Sequence, residues 1–72
     1  PNPAGDYLVL ETENIQVQNL QCYDLQGQAM NLSYSAQGTK QVVNVGSLYK
    51  GIYLLRVQDR EGNMYTIKFI KL

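Results

Sequence analysis

The chain contains no histidine, so the side chain that most often shuttles protons near neutral pH, and most often ligates soft metals, is missing. Cys22 is the only cysteine, which excludes an internal disulfide. It also leaves the one strong nucleophile without a histidine to activate it. Six basic residues cancel six acidic ones, which argues against a phosphate-neutralising face for nucleic acid. No stretch approaches the roughly 18 apolar residues of a membrane span, and no signal-peptide pattern opens the chain, so membrane insertion is not expected. No segment carries apolar residues at helical spacing. Both prolines lie in Pro1-Asn2-Pro3, a poor natural amino terminus that suggests a chain beginning mid-protein.

What remains is β-structure. Seventy-two residues make one domain, and a chain this short buries only about 60–65% of its unfolded surface. The strongest stretch is Gly51-Ile52-Tyr53-Leu54-Leu55-Arg56-Val57. Tyr53, Leu55 and Val57 point one way and Ile52, Leu54 and Arg56 the other, and a run apolar on both faces predicts a central strand. Ser47–Gly51 reads as a compact turn with Leu48 as a plug dropping into the core. Asp59-Arg60-Glu61-Gly62-Asn63 reads as the turn of a hairpin whose second strand runs from Met64 to Leu72.

Upstream, Pro1–Asp6 predicts a rigid extended lead-in and Tyr7–Leu10 a short strand with Leu8 and Leu10 inward. Glu11–Asn14 predicts a turn, and Ile15–Tyr23 a strand. Ile15 and Val17 share one parity while Leu20 and Cys22 share the other, so a bulge or turn is expected at Gln18-Asn19. Asp24-Leu25-Gln26-Gly27 is a hairpin turn. Gln28–Tyr34 is read as one returning strand with Met30, Leu32 and Tyr34 alternating, Ser35–Thr39 as a loop, and Lys40–Val45 as a strand. The spacing predicts an all-β antiparallel sandwich of about seven strands. Its expected core is Leu8, Leu20, Cys22, Leu48, Tyr53, Leu55, Val57, Ile67 and Phe69.

The candidate chemistry is thin. Cys22 alternates with Leu20 and reads as a buried inert thiol, against the alternative of pairing with another chain. Asp59, Glu61 and Asn63 place oxygens around Gly62 faintly like a calcium loop, against the plainer reading of a solvated turn. Of six tyrosines, Tyr7, Tyr49 and Tyr65 could form a sugar-binding platform or simply be half-buried sheet residues. An enzyme needs a cavity of roughly 300–1,000 Å³, and nearly all the apolar residues here are required to close the core. No catalytic residue, cofactor or metal site is expected.

Four separated segments then resemble one family. Pro1-Asn2-Pro3-Ala4 with Asp6 and Leu8 is similar to its opening pattern, and Cys22–Gln28 to its "V-Y-D-x-x-G-K" hairpin. Asn44–Tyr53 resembles "D-V-S-x-L-x-x-G-x-Y", and Lys68-Phe69-Ile70-Lys71 its lysine-framed last strand. Together they resemble the type A C-terminal sorting domain of the type IX (Por) secretion system. Departures are Cys22 for valine, Gln28 for lysine, and Asn44 and Gly46 for aspartate and serine.

The resemblance implies an immunoglobulin-like sandwich at the tail of a larger secreted cargo. Such a domain carries cargo from the periplasm through an outer-membrane translocon to the cell surface or extracellular space. A sortase-like peptidase then removes it, upstream of Pro1, and the cargo is often attached to surface lipopolysaccharide. Beside this reading stands an alternative, a carbohydrate-binding or adhesive module using the tyrosines. If sorting is the role, recognition is expected at the terminal hairpin, through Gly51, Tyr53, Lys68, Phe69, Ile70, Lys71 and Leu72. Lys68 and Lys71 would stand exposed on an edge strand open to pairing with a partner strand, or weakly with a second copy.

Overall fold

The computed structural model describes residues 5–12 and 16–72. The lead-in over residues 1–4, most of the expected turn after Glu11, and Ile15 at the start of the second expected strand lie outside them. The described residues form seven strands and no helix: β1 (Tyr7–Glu11), β2 (Val17–Asp24), β3 (Ala29–Met30), β4 (Tyr34–Gln37), β5 (Lys40–Asn44), β6 (Gly51–Asp59) and β7 (Met64–Lys71). They make two antiparallel sheets, one of order β3-β2-β6-β7 and one of order β1-β5-β4. Side chains from both sheets meet in a single core, the arrangement of a β-sandwich.

The chain visits the sheets in hairpin pairs. β2–β3 and β6–β7 belong to the four-stranded sheet, and β4–β5 to the three-stranded one. β6 lies between β2 and β7 over nearly its whole length, with Cys22 opposite Leu55 on one side and Ile67 opposite Leu55 on the other. This is the central position that its two apolar faces require. The parity conflict in β2 is resolved by an irregularity in register between Val17 and Asn19, where Val17 pairs with Asp59 and Asn19 with Gln58. The extra residue lets Leu20 and Cys22 face inward.

The core comprises Leu8, Leu10, Leu20, Cys22, Val43, Val45, Leu48, Tyr53, Leu55, Val57 and Phe69, with Val17, Met30, Leu32 and Ile67 packed against it. Eight of the nine expected core residues are buried. Ile67 is half-buried, because β7 has a described neighbour on one side alone. Val43 and Val45 are fully buried additions.

Two expectations are corrected. Gln28–Tyr34 is not one strand: Ala29–Met30 pairs with β2, the chain crosses at Asn31–Ser33, and Tyr34 begins β4 in the opposite sheet. Met30, Leu32 and Tyr34 keep a single parity through this corner, so alternation cannot reveal it. Nor is Ser35–Thr39 a loop. Tyr34–Gln37 pairs with β5, and only Gly38 and Thr39 make the turn. All four β4 residues are exposed, as befits an edge strand, and without an inward apolar residue it leaves no strand signal.

Candidate functional site

The terminal hairpin is held by two different devices at its two ends. At the far end, Asp59 closes the β6–β7 turn. Its Oδ1 accepts the Glu61 amide at 3.0 Å and the Asn63 amide at 2.9 Å. Its Oδ2 accepts the Asn63 side-chain amide at 3.1 Å and the Tyr65 hydroxyl at 3.2 Å. Gly62, at φ 89°, takes the left-handed position that lets its N–H donate to the Asp59 carbonyl at 3.2 Å. Both carboxylate oxygens therefore serve the turn itself, the geometry of a hairpin.

The β2–β3 turn is built the same way. Asp24 Oδ1 accepts the Gln26 and Gln28 amides, each at 2.9 Å, and Gly27 at φ 86° donates to the Asp24 carbonyl at 3.1 Å. The shared pattern Asp-x-x-Gly-x recurs at 24–28 and 59–63. Because β2 and β6 are antiparallel, with Asp24 opposite Tyr53 and Val17 opposite Asp59, the two turns cap opposite ends of the sheet.

Asp59 is a carboxylate under opposing influences. Burial pushes its pKa up, but hydrogen bonds from the Asn63 backbone and side chain, the Glu61 backbone and Tyr65 outweigh it and hold it below the ordinary aspartate value. Tyr65 is shifted the other way, raised by burial, then by the charge and hydrogen bond of Asp59 and by the charge of Glu61.

The near end is the Val45–Gly51 corner. Leu48 is buried as the plug the turn predicts, and its N–H donates to the Val45 carbonyl at 3.1 Å. Asn44 Oδ1 accepts the Gly46 N–H at 3.0 Å. Tyr53 is buried in the core, its ring stacked on Phe69 with centroids 5.7 Å apart and planes at 24°. Its hydroxyl donates to the Tyr49 carbonyl at 2.8 Å, tying the corner to the central strand. Tyr53→Phe keeps the ring packing and deletes this bond, so it should cost about 1 kcal/mol. A denaturant melt of the two proteins checks it, with unchanged secondary structure expected.

Within this frame the candidate residues of the last strand divide by parity. Gly51 pairs with Lys71, Tyr53 with Phe69, and Leu54 with Lys68. Tyr53, Phe69 and Lys71 are buried, whereas Gly51, Lys68, Ile70 and Leu72 are exposed. The expectation that Lys68 and Lys71 both stand exposed on the edge is therefore corrected. Three residues apart in a strand, they point to opposite faces. Lys71 is only 8% exposed and its Nζ donates to the Leu72 carbonyl at 2.9 Å.

Outside the hairpin, Cys22 is 1% exposed. Burial raises its thiol pKa to about 11, the charge of Asp24 adds to the rise, and a backbone hydrogen bond at Tyr23 opposes it. A neutral buried thiol is a poor nucleophile. Maleimide at pH 7 should leave Cys22 unlabelled in the folded protein and label it rapidly in denaturant, as mass spectrometry would show. Tyr7, Tyr49 and Tyr65 do not share a surface. Tyr7 lies on β1 in the three-stranded sheet, Tyr49 beside the near end of β6, and Tyr65 opposite Val57 toward the far end. A shallow cleft of about 210 Å³ lined by Tyr7, Tyr34, Ser35, Val42 and Asn44 falls short of the roughly 300 Å³ at which small-molecule sites begin. Among the described residues, no cluster of three or more acidic or cysteine side chains could hold a metal ion.

What the sequence reading left unassigned is the outward parity of β6. Ile52, Leu54 and Arg56 were legible as a set facing away from the core, but they had no role there.

Comparison with known proteins bears on the whole chain. A family model described as a secretion system C-terminal sorting domain matches residues 1–72. An endo-acting ulvan lyase of Formosa agariphila is 31% identical over 70 residues, which is 97% of this chain and 14% of that protein. The chain thus spans about one seventh of the relative's length. The chain belongs to the C-terminal sorting domain family of the type IX secretion system, whose members mark proteins for export to the cell surface or extracellular space.

Proposed function

We propose that this domain is a non-catalytic signal that directs a cargo protein through the outer-membrane translocon of the type IX system. Removal by a sortase-like peptidase upstream of Pro1 and attachment of the cargo to the cell surface would follow. The observation that carries the reading is the family match over the full chain. The ulvan lyase supports it from another direction, since the similar segment is a small share of a much larger enzyme.

Recognition is assigned to the terminal hairpin. Lys68, Ile70, Leu72 and the Gly51 corner supply the presented surface, while Tyr53, Phe69 and Lys71 hold it in place from within. The alternative of a sugar-binding module needs Tyr49 and Tyr65 to act together. Their separation along the hairpin and the bond from the Tyr65 hydroxyl to Asp59 count against it.

The test is a fusion of the chain to the carboxy terminus of a periplasmic reporter in a type IX-competent bacterium, beside a strain lacking the translocon. Reporter should reach the surface or medium in the first strain alone, with a new carboxy terminus upstream of Pro1. Reporter retained in the periplasm with a folded domain overturns the sorting reading. Specific glycan-array binding lost on Tyr49→Ala or Tyr65→Ala would favour the sugar-binding reading. Within the fusion, Lys68→Glu reverses an outward charge and should slow export in a variant whose melt matches the parent's.

A further inference from the structure

The four-stranded sheet has a second face, turned away from the core. The register places Ile52 beside Ile70, and Tyr23, Leu54 and Lys68 in the next row. Gln21, Arg56 and Thr66 follow, then Asn19, Gln58 and Met64. Ile52 and Ile70 are 38% and 42% exposed, and Tyr23 and Leu54 are half-buried. One end of the face is thus an apolar patch and its middle is cationic, and the described outward positions include no carboxylate. Arg56 is exposed and sits at the centre of a row whose other members are neutral. The ion pair of Lys40 with Glu11 is on the other sheet.

We propose that this face, centred on Arg56 and the Ile52–Ile70 pair, is the surface by which the domain docks on a protein partner of acidic and apolar character. That partner sets a carboxylate against Arg56 and apolar side chains against Ile52, Ile70 and Leu54. The proposal rests on the sorting reading, which makes the partner a component of the secretion machinery. Charge complementarity selects the chemistry. A guanidinium among neutral neighbours is matched best by a carboxylate that it can hold through two hydrogen bonds. A second copy of the chain is a poor occupant, because two such faces brought together oppose Arg56 and Lys68 to themselves. The size also fits the task. The face's eleven positions on three strands, each about 4.8 by 6.8 Å, cover roughly 350 Å², the scale of a functional surface patch. A contact so small is released readily, as a signal that must leave its receptor requires.

The test uses the full reporter fusion and measures the exported fraction. Arg56→Glu should lower it about tenfold, as expected for reversing a charge at a complementary contact, and Arg56→Lys should recover most of the loss. Ile52→Ser with Ile70→Ser should lower it comparably, whereas Val9→Ser, on the outward face of the other sheet, should not. Each variant is accepted only if its thermal melt matches the parent within a few degrees. Wild-type export by a folded Arg56→Glu variant overturns the docking face and leaves the sorting role intact. Failure of the parent fusion to be exported at all overturns the sorting role itself, and the docking face with it. Binding of the fusion to phosphatidylglycerol vesicles that Arg56→Glu abolishes would overturn the protein partner in favour of an anionic lipid surface. A concentration-dependent dimer abolished by the same variant, seen by light scattering, would overturn it in favour of a second copy.

Discussion

Phe69→Ala is expected to unfold a large share of the molecules at room temperature and to abolish export. Phe69 is completely buried although it lies on the last strand of its sheet, and its ring stacks on Tyr53 directly across the hairpin. Truncating a buried phenylalanine costs about 3–5 kcal/mol, through lost transfer energy and the cavity left behind. A 72-residue domain has about 4–11 kcal/mol in all, so the loss is comparable with the whole stability. The same change leaves the Tyr53 ring unsupported, and with it the hydroxyl bond that anchors the Tyr49 carbonyl. Urea melts would measure the effect, and a fall of less than about 1 kcal/mol would show that the core closes without this ring. Phe69→Leu is the companion. It keeps most of the volume and should fold, so export by Phe69→Leu together with failure of Phe69→Ala assigns the residue a supporting role. Failure of a well-folded Phe69→Leu would instead mean that the aromatic ring is itself recognised.

The features most legible in the sequence were those governed by local alternation with an apolar consequence. The central strand announced itself because Ile52 and Leu54 are apolar on the face opposite Tyr53, Leu55 and Val57. The irregularity at Gln18-Asn19 was readable because Val17 and Leu20 cannot both face inward in a regular strand. Leu48 stood out as a lone apolar residue in a polar turn. What escaped depends on which sheet a strand joins. Met30, Leu32 and Tyr34 alternate without a break while the backbone leaves one sheet for the other, and the exposed β4 has no buried residue to mark it. The candidate site failed in one instructive detail. Lys68 and Lys71 looked like a pair because both are charged and near in sequence, yet odd spacing in a strand sends them to opposite faces. The reach of a lysine side chain then lets Lys71 lie along the core and turn its ammonium to the Leu72 carbonyl. The outward face around Arg56 was visible as parity, but it becomes a surface only when the register sets Tyr23, Ile70 and Lys68 beside it, which pairing across three strands decides.

Asp59→Ala should open the far end of the terminal hairpin and do so more severely than Asp24→Ala opens the β2–β3 turn. Both carboxylates accept two backbone amides of their own turns, but Asp59 also accepts the Asn63 side chain and the Tyr65 hydroxyl. Its turn joins the two long strands of the hairpin, whereas β3 is two residues long. Hydrogen bonds to a charged acceptor exceed those to a neutral one, so exchange of the Asn63 amide should accelerate about tenfold or more in Asp59→Ala. Tyr65 should titrate closer to the ordinary tyrosine value once the neighbouring charge is gone.

Acid gives the same test without mutation. Because the folded-state pKa of Asp59 lies below its unfolded value, its contribution is fully present above about pH 4 and is lost as the pH falls through the folded value. Tyr65 works with the opposite sign, its raised pKa favouring the folded state below about pH 10 and withdrawing that support as the pH rises further. Hydrogen exchange followed from pH 6 to pH 2, corrected for intrinsic rates, should therefore show Glu61 and Asn63 losing protection while Leu55 and Phe69 keep theirs. In Asp59→Asn the acid step at those two amides should vanish. If it persists there, protonation elsewhere opens the hairpin and Asp59 is not its acid-sensitive latch.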